Sequence, residues 1–432
     1  MNHSIIIMAA GKGSRMKSEI PKVLHTVCGK PMLYHILHEA RKLSDDIHTI
    51  IYHQAERVKA AVESDFTGID LIVQDHENYP GTGGAVMAAK PKHDKVLVLN
   101  GDMPLVTESV LTPFFECDAD VVLSTFVLKD PSGYGRVITA GNQVEKVVED
   151  KDATAEEKKV TRVNAGVYLF DRSFLNEFLP KLSCDNAQGE YYITELIELA
   201  IKAGKKVAFV DVDEEAFMGV NSKKELSIAE TVMQRRIRDF WMQEGVIMHL
   251  PETIYIDTRV RFEGECEIES GCVIKGNTVI RNSTVYAHSV IEDAVIEDST
   301  VGPMARIRPQ TVLNDTHIGN FVEIKKSTLN GVKAGHLSYL GDATIDRGTN
   351  IGAGTITCNY DGINKYQTVI GKNVFIGSDS QLVAPVTLED NTMVAAGTTV
   401  TDNVPTQALA ISRTAQRNVA GFFHRFFHKK GQ

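Results

Sequence analysis

Residues 370–400 read IGKNVFIGSDSQLVAPVTLEDNTMVAAGTTV, and an aliphatic side chain recurs in them at every sixth position. The recurring residues are Ile370, Ile376, Leu382, Leu388, Val394 and Val400. Neither the 3.6-residue period of an α-helix nor the two-residue period of a strand explains this spacing. Short strands that are joined by tight turns and stacked as coils do explain it, so the spacing predicts a β-solenoid.

The same spacing recurs at 274–286, 295–313 and 318–324, so the predicted solenoid begins near residue 250. Several glycines that directly follow an aliphatic residue strengthen the hexapeptide pattern: Gly319, Gly352, Gly371 and Gly377. Residues 330–345 break the phase of the repeat. We therefore expect a loop to project from the solenoid there.

Residues 1–220 instead alternate short apolar runs, such as 5–8 and 95–99, with segments of helical spacing, such as 33–43. This alternation predicts an α/β sheet that helices cover on both faces. Ligands of such sheets bind beyond the carboxyl ends of the strands. Residues 222–245 predict one helix with a capping box at its start. This helix is either a connector or the last helix of the first domain.

Composition excludes several classes of protein. Of the 432 residues, 43% are hydrophobic and 24% are charged, which is ordinary for a globular protein. No apolar run approaches the ~18 residues that a membrane-spanning helix needs, and the start of the chain does not resemble a signal peptide. A formal charge of −10 argues against a general nucleic-acid binder. Six cysteines without a CxxC pair suit a reducing cytoplasm.

The first apolar run leads into the loop Ala9-Ala10-Gly11-Lys12-Gly13-Ser14-Arg15-Met16. Glycines let backbone N–H groups approach phosphate oxygens closely, but this loop matches neither a dinucleotide fingerprint nor a Walker loop. A tight turn without a ligand is the alternative. Arg15 and Lys22 favour a nucleoside triphosphate, because cations can neutralise its charge. Asp102 follows the apolar run 96–99, where a carboxylate is well placed to bind Mg²⁺ beside substrate phosphates.

Four stretches of the first half resemble the sugar nucleotidyltransferases: the glycine loop with its Arg-Met, Pro-Lys-Val-Leu-His at 21–25, Gly-Thr-Gly-Gly-Ala at 81–85, and Gly-Asp at 101–102. With the hexapeptide solenoid behind them, nearly the whole chain resembles one bacterial family. Its members are bifunctional UDP-N-acetylglucosamine pyrophosphorylases and glucosamine-1-phosphate N-acetyltransferases. The most specific stretches are 333–342, 350–362 and 408–413.

The resemblance implies a Rossmann-like, GT-A-like nucleotidyltransferase domain that joins UTP to N-acetylglucosamine-1-phosphate and releases pyrophosphate. Asp102 and Asn221 would bind Mg²⁺. The residues that the resemblance places around UTP and UDP-N-acetylglucosamine are Ala9, Ala10, Gly11, Arg15, Lys22, Gln74, Gly81, Thr82, Gly135, Glu149, Asn164 and Asn221.

The resemblance also implies a left-handed parallel β-helix that acetylates glucosamine-1-phosphate with acetyl-CoA. His336 matches the base of the family, and a histidine suits deprotonation of the substrate amine at neutral pH. The residues that match substrate positions are Arg308, Lys325, Tyr339 and Asn350. Those that match acetyl-CoA or orienting positions are Ala353, Asn359, Tyr360, Ser378, Ala396 and Arg413.

The predicted organisation is a uridylyltransferase domain (1–221), a connecting helix (222–245), the β-helix (246–408) and a basic tail (409–432). The resemblance implies a cytoplasmic homotrimer with acetyl sites between subunits, and neither nucleic-acid binding nor stable membrane insertion. The tail carries cations but no acid, and Phe422, Phe423, Phe426 and Phe427 predict one helical stripe. Packing of this stripe on a neighbouring subunit is the preferred interpretation, and membrane adhesion the minor one.

Three other functions compete with the bifunctional one. The first is a single-activity sugar-1-phosphate nucleotidyltransferase whose solenoid serves only trimer assembly. The second is a trimeric scaffold that merely binds nucleotide. The third is a zinc hydratase, for which His288, His317 and His336 are poorly spaced.

Overall fold

The structure, a computed structural model, describes residues 3–141 and 143–427. The chain divides into two compact units, Met1–Arg236 and Ile237–Gln432. The domain bounds at 221, 245 and 408 stay predictions. Within the described ranges, no helix combines the length and the apolar character that crossing a membrane requires.

Unit 1 contains a central sheet with helices between its strands. The strands are β1 (His3–Met8), β2 (Thr26–Val27), β3 (Lys30–Pro31), β4 (Asp46–Ile51), β5 (Asp70–Val73), β6 (Lys95–Asn100), β7 (Val121–Val127), β8 (Arg136–Ala140), β9 (Gln143–Val148), β10 (Arg162–Asp171) and β11 (Val207–Asp211). The α-helices are α1 (Met32–Leu43), α2 (Ala55–Glu63), α3 (Gly81–Met87), α4 (Glu108–Glu116), α5 (Arg172–Phe178) and α6 (Glu195–Lys202). A further helix, α7 (Lys223–Gln243), contains the division between the two units.

The strands of the main sheet follow the order β11-β7-β10-β6-β1-β4-β5, and β8 and β9 form a hairpin beside β10. β10 runs antiparallel to β6 and β7, whereas β1, β4, β5 and β6 are mutually parallel. Buried residues of α1, α2 and α4 pack on one face, and those of α3, α5 and α6 pack on the other. The predicted α/β class, with both faces covered, is confirmed.

β1 shows why its sequence forms a central strand. Ile5 and Ile7 belong to the core on one face, Ile6 belongs to the core on the other, and all three are fully buried. Side chains of a strand alternate between faces, so a strand between two helical layers must be apolar at every position.

Helix α7 matches the predicted helix, but its capping differs from a simple capping box. The backbone N–H of Glu225 donates to Ser222 Oγ at 3.3 Å, as predicted. The Glu225 carboxylate accepts instead from the backbone N–H of Asn221, at 2.7 Å. Glu225 therefore fixes Asn221, a residue of the predicted metal site.

Unit 2 is a parallel β-helix whose short strands form three sheets. The first contains 247–248, 267–268, 284–285, 300–301, 317–320, 333–336, 350–351, 375–376, 393–394 and 409–410. The second contains 255–256, 273–275, 290–292, 306–307, 323–325, 339–341, 356–358, 381–383 and 399–400. The third contains 261–263, 279–281, 294–297, 311–314, 328–330, 343–345, 368–370 and 386–388.

The six-residue spacing of the sequence places an aliphatic side chain of nearly every strand inside the coil. All six residues from Ile370 to Val400 that carry this spacing are at most 4% exposed. All strand pairs within the three sheets are parallel, as in Thr300 with His317 and Glu323 with Tyr339. The predicted solenoid is confirmed, and it is the left-handed parallel β-helix of the predicted fold class.

The expected loop at 330–345 is wrong. Regular strands occupy this stretch, and the inward residues Leu329, Ala334, Leu340 and Ile345 remain buried. The phase breaks because two turns are one residue shorter. The insertion lies later, at 359–367. Lys333 pairs with Asn350, 17 residues further along the chain, whereas Asn350 pairs with Phe375 on the next coil, 25 residues further along.

The glycines that follow aliphatic residues allow successive coils to approach closely at one corner. A β-carbon at Gly319 would lie 2.0 Å from the carbonyl oxygen of Gly335 on the next coil. This distance is far inside van der Waals contact, so a side chain at 319 would force the coils apart. A β-carbon at Gly335 would meet no atom within 4 Å.

The tail leaves the solenoid after the strand 409–410, and its Phe-rich stretch forms the short helix α8 (Phe422–Phe427). The four phenylalanines are 57–67% exposed, and the ring centroids of Phe423 and Phe427 lie 4.6 Å apart. The predicted helical stripe is confirmed, whereas its partner stays a prediction. The tail cations Lys429 and Lys430 lie outside the described residues.

We predict that Gly319→Ala destabilises the solenoid and that Gly335→Ala does not. The first methyl group overlaps a carbonyl oxygen, and overpacking of this kind costs about 1–3 kcal/mol. Differential scanning calorimetry of the full chain measures both variants at equivalent corners. Equal melting temperatures of the two variants would show that close coil approach does not limit side-chain size at 319.

Candidate functional site

The carboxyl ends of β1, β5 and β6 open into a cavity of about 480 Å³ in unit 1. The predicted nucleotide and metal residues that line it are Ala9, Ala10, Gly11, Lys22, Gln74, Gly81, Thr82 and Asp102. These residues come from separate loops along the chain, from the 3-10 turn at Lys22 and from the start of α3. The sheet brings them together because parallel strands present their carboxyl ends at one edge.

Gly13 lets Lys22 approach the glycine loop. Its φ of 62° lies in the left-handed region, and a β-carbon there would lie 2.5 Å from the β-carbon of Lys22. Met16, which occupies the position where a dinucleotide fingerprint has glycine, is 1% exposed. The buried Met16 side chain thus anchors the loop in the core, and the absence of a side chain at Gly13 leaves room for Lys22.

A cluster of opposite charges lies beside the cavity. The Lys22 ammonium forms a close ion pair with Asp102 Oδ2 and donates to Asn221 Oδ1 at 2.7 Å. Arg15 Nη2 donates to the same Asn221 oxygen at 2.8 Å. The backbone N–H of Val220 donates to the carbonyl oxygen of Asp102 at 2.9 Å, so the two chain segments are joined directly.

This arrangement fits a hard divalent cation. Asp102 and Asn221 offer one carboxylate and one amide oxygen, and the Lys22 ammonium between them marks a position that attracts positive charge. Across the described ranges, no group of three or more His, Cys, Asp or Glu side chains could hold a metal. Mg²⁺ commonly takes one or two protein carboxylates and completes its shell with phosphates and water.

Gln74 is held in one orientation. It is 5% exposed, and its amide nitrogen donates to the carbonyl oxygens of Tyr79 at 2.9 Å and of Gly81 at 3.0 Å. Both amide hydrogens are thereby engaged by backbone. The other end of the side-chain amide can only accept a hydrogen bond.

The predicted sugar residues Gly135, Glu149 and Asn164 form a second group outside the lining of this cavity. The backbone N–H of Asn164 donates to the carbonyl oxygen of Gly135 at 2.8 Å. Thr194 Oγ1 donates to Glu149 Oε1 at 3.0 Å. Burial raises the pKa of Glu149 from its ordinary value, and the Thr194 hydrogen bond opposes this shift.

Sequence reasoning missed several residues of unit 1. His76 and Glu190 line the cavity, and Thr194 holds Glu149. Thr82 Oγ1 accepts a hydrogen bond from the backbone N–H of Ile193 at 3.0 Å, which fixes the 190–194 segment against the cavity. This segment is far from the glycine loop in sequence and has no spacing that signals a site.

In unit 2, predicted acetyl-site residues fall on one corner of successive coils. Asn320 pairs with His336 on adjacent strands. The carbonyl oxygens of Ala353 and Ser378 accept the N–H groups of Asp379 and Gly397 on the following coils, each at 2.8 Å. His336, Ala353, Ser378 and Ala396 therefore occupy equivalent positions along one edge.

Arg413 closes this edge at its upper end. Its Nη1 donates to the carbonyl oxygen of Ala396 at 2.7 Å. On the preceding coils the equivalent carbonyl oxygen accepts an N–H group of the next coil, so the Arg413 side chain takes the place of a further coil. Four of the predicted acetyl-CoA residues, Ala353, Ser378, Ala396 and Arg413, are thus continuous in space although they are scattered in sequence.

The second sheet carries a cluster of cations at, or just after, the ends of its strands. Arg308 Nη1 pairs with Glu323 Oε1 at 2.7 Å. Lys365 lies beside Lys325 and lowers the pKa of its ammonium, with smaller contributions from burial and from Arg308. Lys365 comes from the insertion at 359–367 and was missed, because no periodicity places an inserted loop over a given coil.

The four remaining predicted residues lie in different parts of unit 2. Asn359 is buried and donates to Asp342 Oδ2 at 2.5 Å, whereas Tyr360 is exposed on the inserted loop. Tyr339 lies on the second sheet with Lys325, but Asn350 lies on the first sheet. One chain therefore does not bring Asn350 together with the cations.

The histidines do not support a zinc site. His317 is on the first sheet, where Thr300 Oγ1 hydrogen-bonds its Nδ1 at 2.7 Å, and His336 is exposed at the corner. His288 lies at the same corner several coils lower. Among residues 3–141 and 143–427, no three side chains of the metal-binding types are grouped closely enough to hold an ion.

Family models match both halves of the chain. The model of the MobA-like NTP transferase domain matches residues 5–165, which cover the glycine loop and Asp102. The model of the bacterial transferase hexapeptide (six repeats) matches residues 367–402, the stretch with the unbroken six-residue spacing.

Relatives match the chain over its full length. A bifunctional protein GlmU of a Nitratiruptor species is 59% identical over 429 residues, which cover 99% of this chain and 100% of that protein. The bifunctional proteins GlmU of Wolinella succinogenes and Aliarcobacter butzleri are 59% and 57% identical over 427 residues, which cover 99% of this chain and 99% of each relative.

Proposed function

This chain belongs to the family of bifunctional GlmU proteins, and we propose that the unit 1 cavity and the unit 2 corner edge are its two catalytic sites. The protein is an enzyme of UDP-N-acetylglucosamine synthesis. It acetylates glucosamine-1-phosphate with acetyl-CoA, and it transfers UMP from UTP to N-acetylglucosamine-1-phosphate, releasing pyrophosphate. The observation that supports two sites most directly is that each compact unit collects its own cluster of predicted residues.

In unit 1, a phosphate oxygen of the sugar phosphate attacks the α-phosphorus of UTP, and the bond to the pyrophosphate oxygen breaks. The attacking group is already anionic, so no general base is needed, and the protein acts by positioning and charge stabilisation. Lys22 and Arg15 neutralise the phosphates, and the backbone at Ala9, Ala10 and Gly11 contacts the nucleotide. Asp102 and Asn221 would hold Mg²⁺, which neutralises triphosphate charge when bound.

Base recognition is assigned to Gln74, with Gly81 and Thr82 beside it. Its amide hydrogens are engaged by backbone carbonyls, so its carbonyl oxygen faces the ligand as an acceptor. Uracil has an imide N–H that such an acceptor satisfies, whereas cytosine has no donor at that ring position. Gly135, Glu149 and Asn164 hold the sugar, since a carboxylate can accept from sugar hydroxyls.

In unit 2, the amine of glucosamine-1-phosphate attacks the thioester carbonyl of acetyl-CoA, and the coenzyme A thiol leaves. An ammonium cannot attack, so His336 removes the proton. Arg308 and Lys325 bind the phosphate together with Lys365, and Tyr339 and Asn350 contact the sugar. The Ala353 N–H is a donor to the tetrahedral oxyanion. Contacts to acetyl-CoA are assigned to Asn359, Tyr360, Ser378, Ala396 and Arg413.

We propose a homotrimer whose acetyl sites lie between subunits. The placement of Asn350 on a different sheet from Arg308 and Lys325 supports this, because a second copy can complete the site. A cytoplasmic location is proposed because none of the six cysteines, all of which lie within the described ranges, forms a disulfide. The single-activity alternative is not favoured, because the full-length relatives are bifunctional proteins.

We predict that the two activities can be removed separately. Asp102→Ala should abolish uridylyl transfer and spare acetyl transfer, and His336→Ala should do the reverse, because each residue belongs to one unit. Mass spectrometry follows acetylation of glucosamine-1-phosphate by acetyl-CoA in one reaction and, in a separate reaction, uridylylation of supplied N-acetylglucosamine-1-phosphate by UTP and Mg²⁺. Loss of both products in a folded single variant would contradict independent sites.

We predict that Lys365→Ala and Lys325→Ala each raise the KM for glucosamine-1-phosphate, roughly tenfold or more, and leave the KM for acetyl-CoA unchanged. Each removes one cation from the proposed phosphate site, and hydrogen bonds to charged groups contribute about 1.5–3 kcal/mol. Lys372→Ala, at an exposed turn, is the control. A raised KM for acetyl-CoA instead would place these lysines at the other substrate.

We predict an acid-sensitive step in uridylyl transfer that Thr194 controls. The raised pKa of Glu149 means that its carboxylate takes up a proton at a higher pH than a free glutamate does, so the KM for N-acetylglucosamine-1-phosphate rises as pH falls through it. Thr194→Val removes a hydrogen bond that lowers this pKa, so the acid limb should move to higher pH. Thr231→Val, on an exposed helix face, should leave the limb in place; a limb unmoved by Thr194→Val would refute the role of Glu149.

A further inference from the structure

The Lys22 ammonium lies between both oxygens that are assigned to the metal in unit 1. It pairs with Asp102 Oδ2 and donates to Asn221 Oδ1. The side chains of Lys22 and Asp102 are only 13% and 17% exposed, so water screens this pair little. A lysine and a divalent cation cannot share this position.

The surroundings hold Lys22 in this place. Gly13 gives the lysine stem room beside the glycine loop, and Pro21 precedes the short 3-10 turn Lys22–Leu24. Asn221 is fixed from behind by the Glu225 carboxylate. The position between Asp102 and Asn221 is therefore preformed, and the Lys22 ammonium of the chain itself occupies it.

We infer that Lys22 is an internal counter-cation that suppresses divalent-metal binding at Asp102 and Asn221 until a triphosphate draws the lysine away. The inference rests on the proposed metal site. A divalent ion that enters without nucleotide must displace the ammonium and leave it unpaired beside a like charge. A triphosphate offers Lys22 several anionic oxygens in exchange for one carboxylate.

Metal and triphosphate binding are then thermodynamically coupled through one side chain. A bound triphosphate draws Lys22 away and so frees the metal position, and a bound metal displaces Lys22, which can then contact the triphosphate. Such coupling is reciprocal, with typical factors of roughly 5–150. The device keeps Asp102 neutralised in the free enzyme. It also disfavours occupation of the site by metal alone.

Binding of Mn²⁺ to the full-length, nucleotide-free protein tests this inference, with free Mn²⁺ measured by electron paramagnetic resonance. Lys22→Met keeps the aliphatic stem and removes the charge, so it should bind Mn²⁺ roughly tenfold more tightly than the native protein. Lys22→Arg keeps the charge and should bind weakly, like the native protein. Lys17→Met removes a nearby exposed lysine charge and should leave the affinity unchanged.

Acetyl transfer by unit 2 of the same samples and an unchanged melting temperature show that each variant is folded. Unchanged or weaker Mn²⁺ binding in Lys22→Met overturns the inference, as does equal tightening in Lys22→Arg or Lys17→Met. The double variant Lys22→Met/Asp102→Ala should lose the gained affinity. If the gain persists, the metal site itself has been assigned wrongly, which is a separate failure from that of the counter-cation.

Discussion

The β-helix of unit 2 depends on one packing constraint: nearly every short strand directs at least one aliphatic side chain into a narrow interior. Ile324, Leu340 and Leu382 are fully buried in this way on one sheet. Because the inward side chains of successive coils pack on one another, every coil stacks in register on the one before it. Register then places equivalent residues above one another on the outside, so a corner of the coil becomes a continuous edge of backbone and side chains.

That edge explains how residues as distant as His336 and Ala396 belong together. A coil repeats the backbone geometry of its predecessor, so carbonyl oxygens at the corner point along the solenoid axis and are used by the next coil. The proposed acetyl site requires only small changes on this frame, such as a histidine at one corner and an arginine that ends the series. Unit 1 gathers its site differently, by the common edge of parallel strands, and so depends on loops that the strands do not dictate.

This difference decides what the sequence alone could predict. The spacing of Ile370 to Val400 predicted buried positions, strands and stacking, because a periodic core leaves a periodic record. The six-residue spacing led to a wrong prediction at 330–345, where two turns are one residue shorter, because the spacing counts residues along the chain and does not measure distance in space. The contacts of Thr194 with Glu149 and of Lys365 with Lys325 join distant segments across a loop, and neither leaves any local pattern. The resemblance supplied the residues of both proposed sites, and the structure added the side chains that contact them.

The two sites also meet anionic substrates with opposite electrostatic strategies. In unit 1 Lys22 is already balanced by Asp102, so a phosphate that binds Lys22 must replace this carboxylate. In unit 2 Lys325 faces another lysine, and this like charge makes its protonated form less favourable. A bound phosphate relieves that repulsion, so its binding favours proton uptake at Lys325. In unit 1, where the substrate replaces one partner of an ion pair, selectivity arises from which ions can replace each other. In unit 2, where two like charges lie close together, attraction for an anion is built into the site.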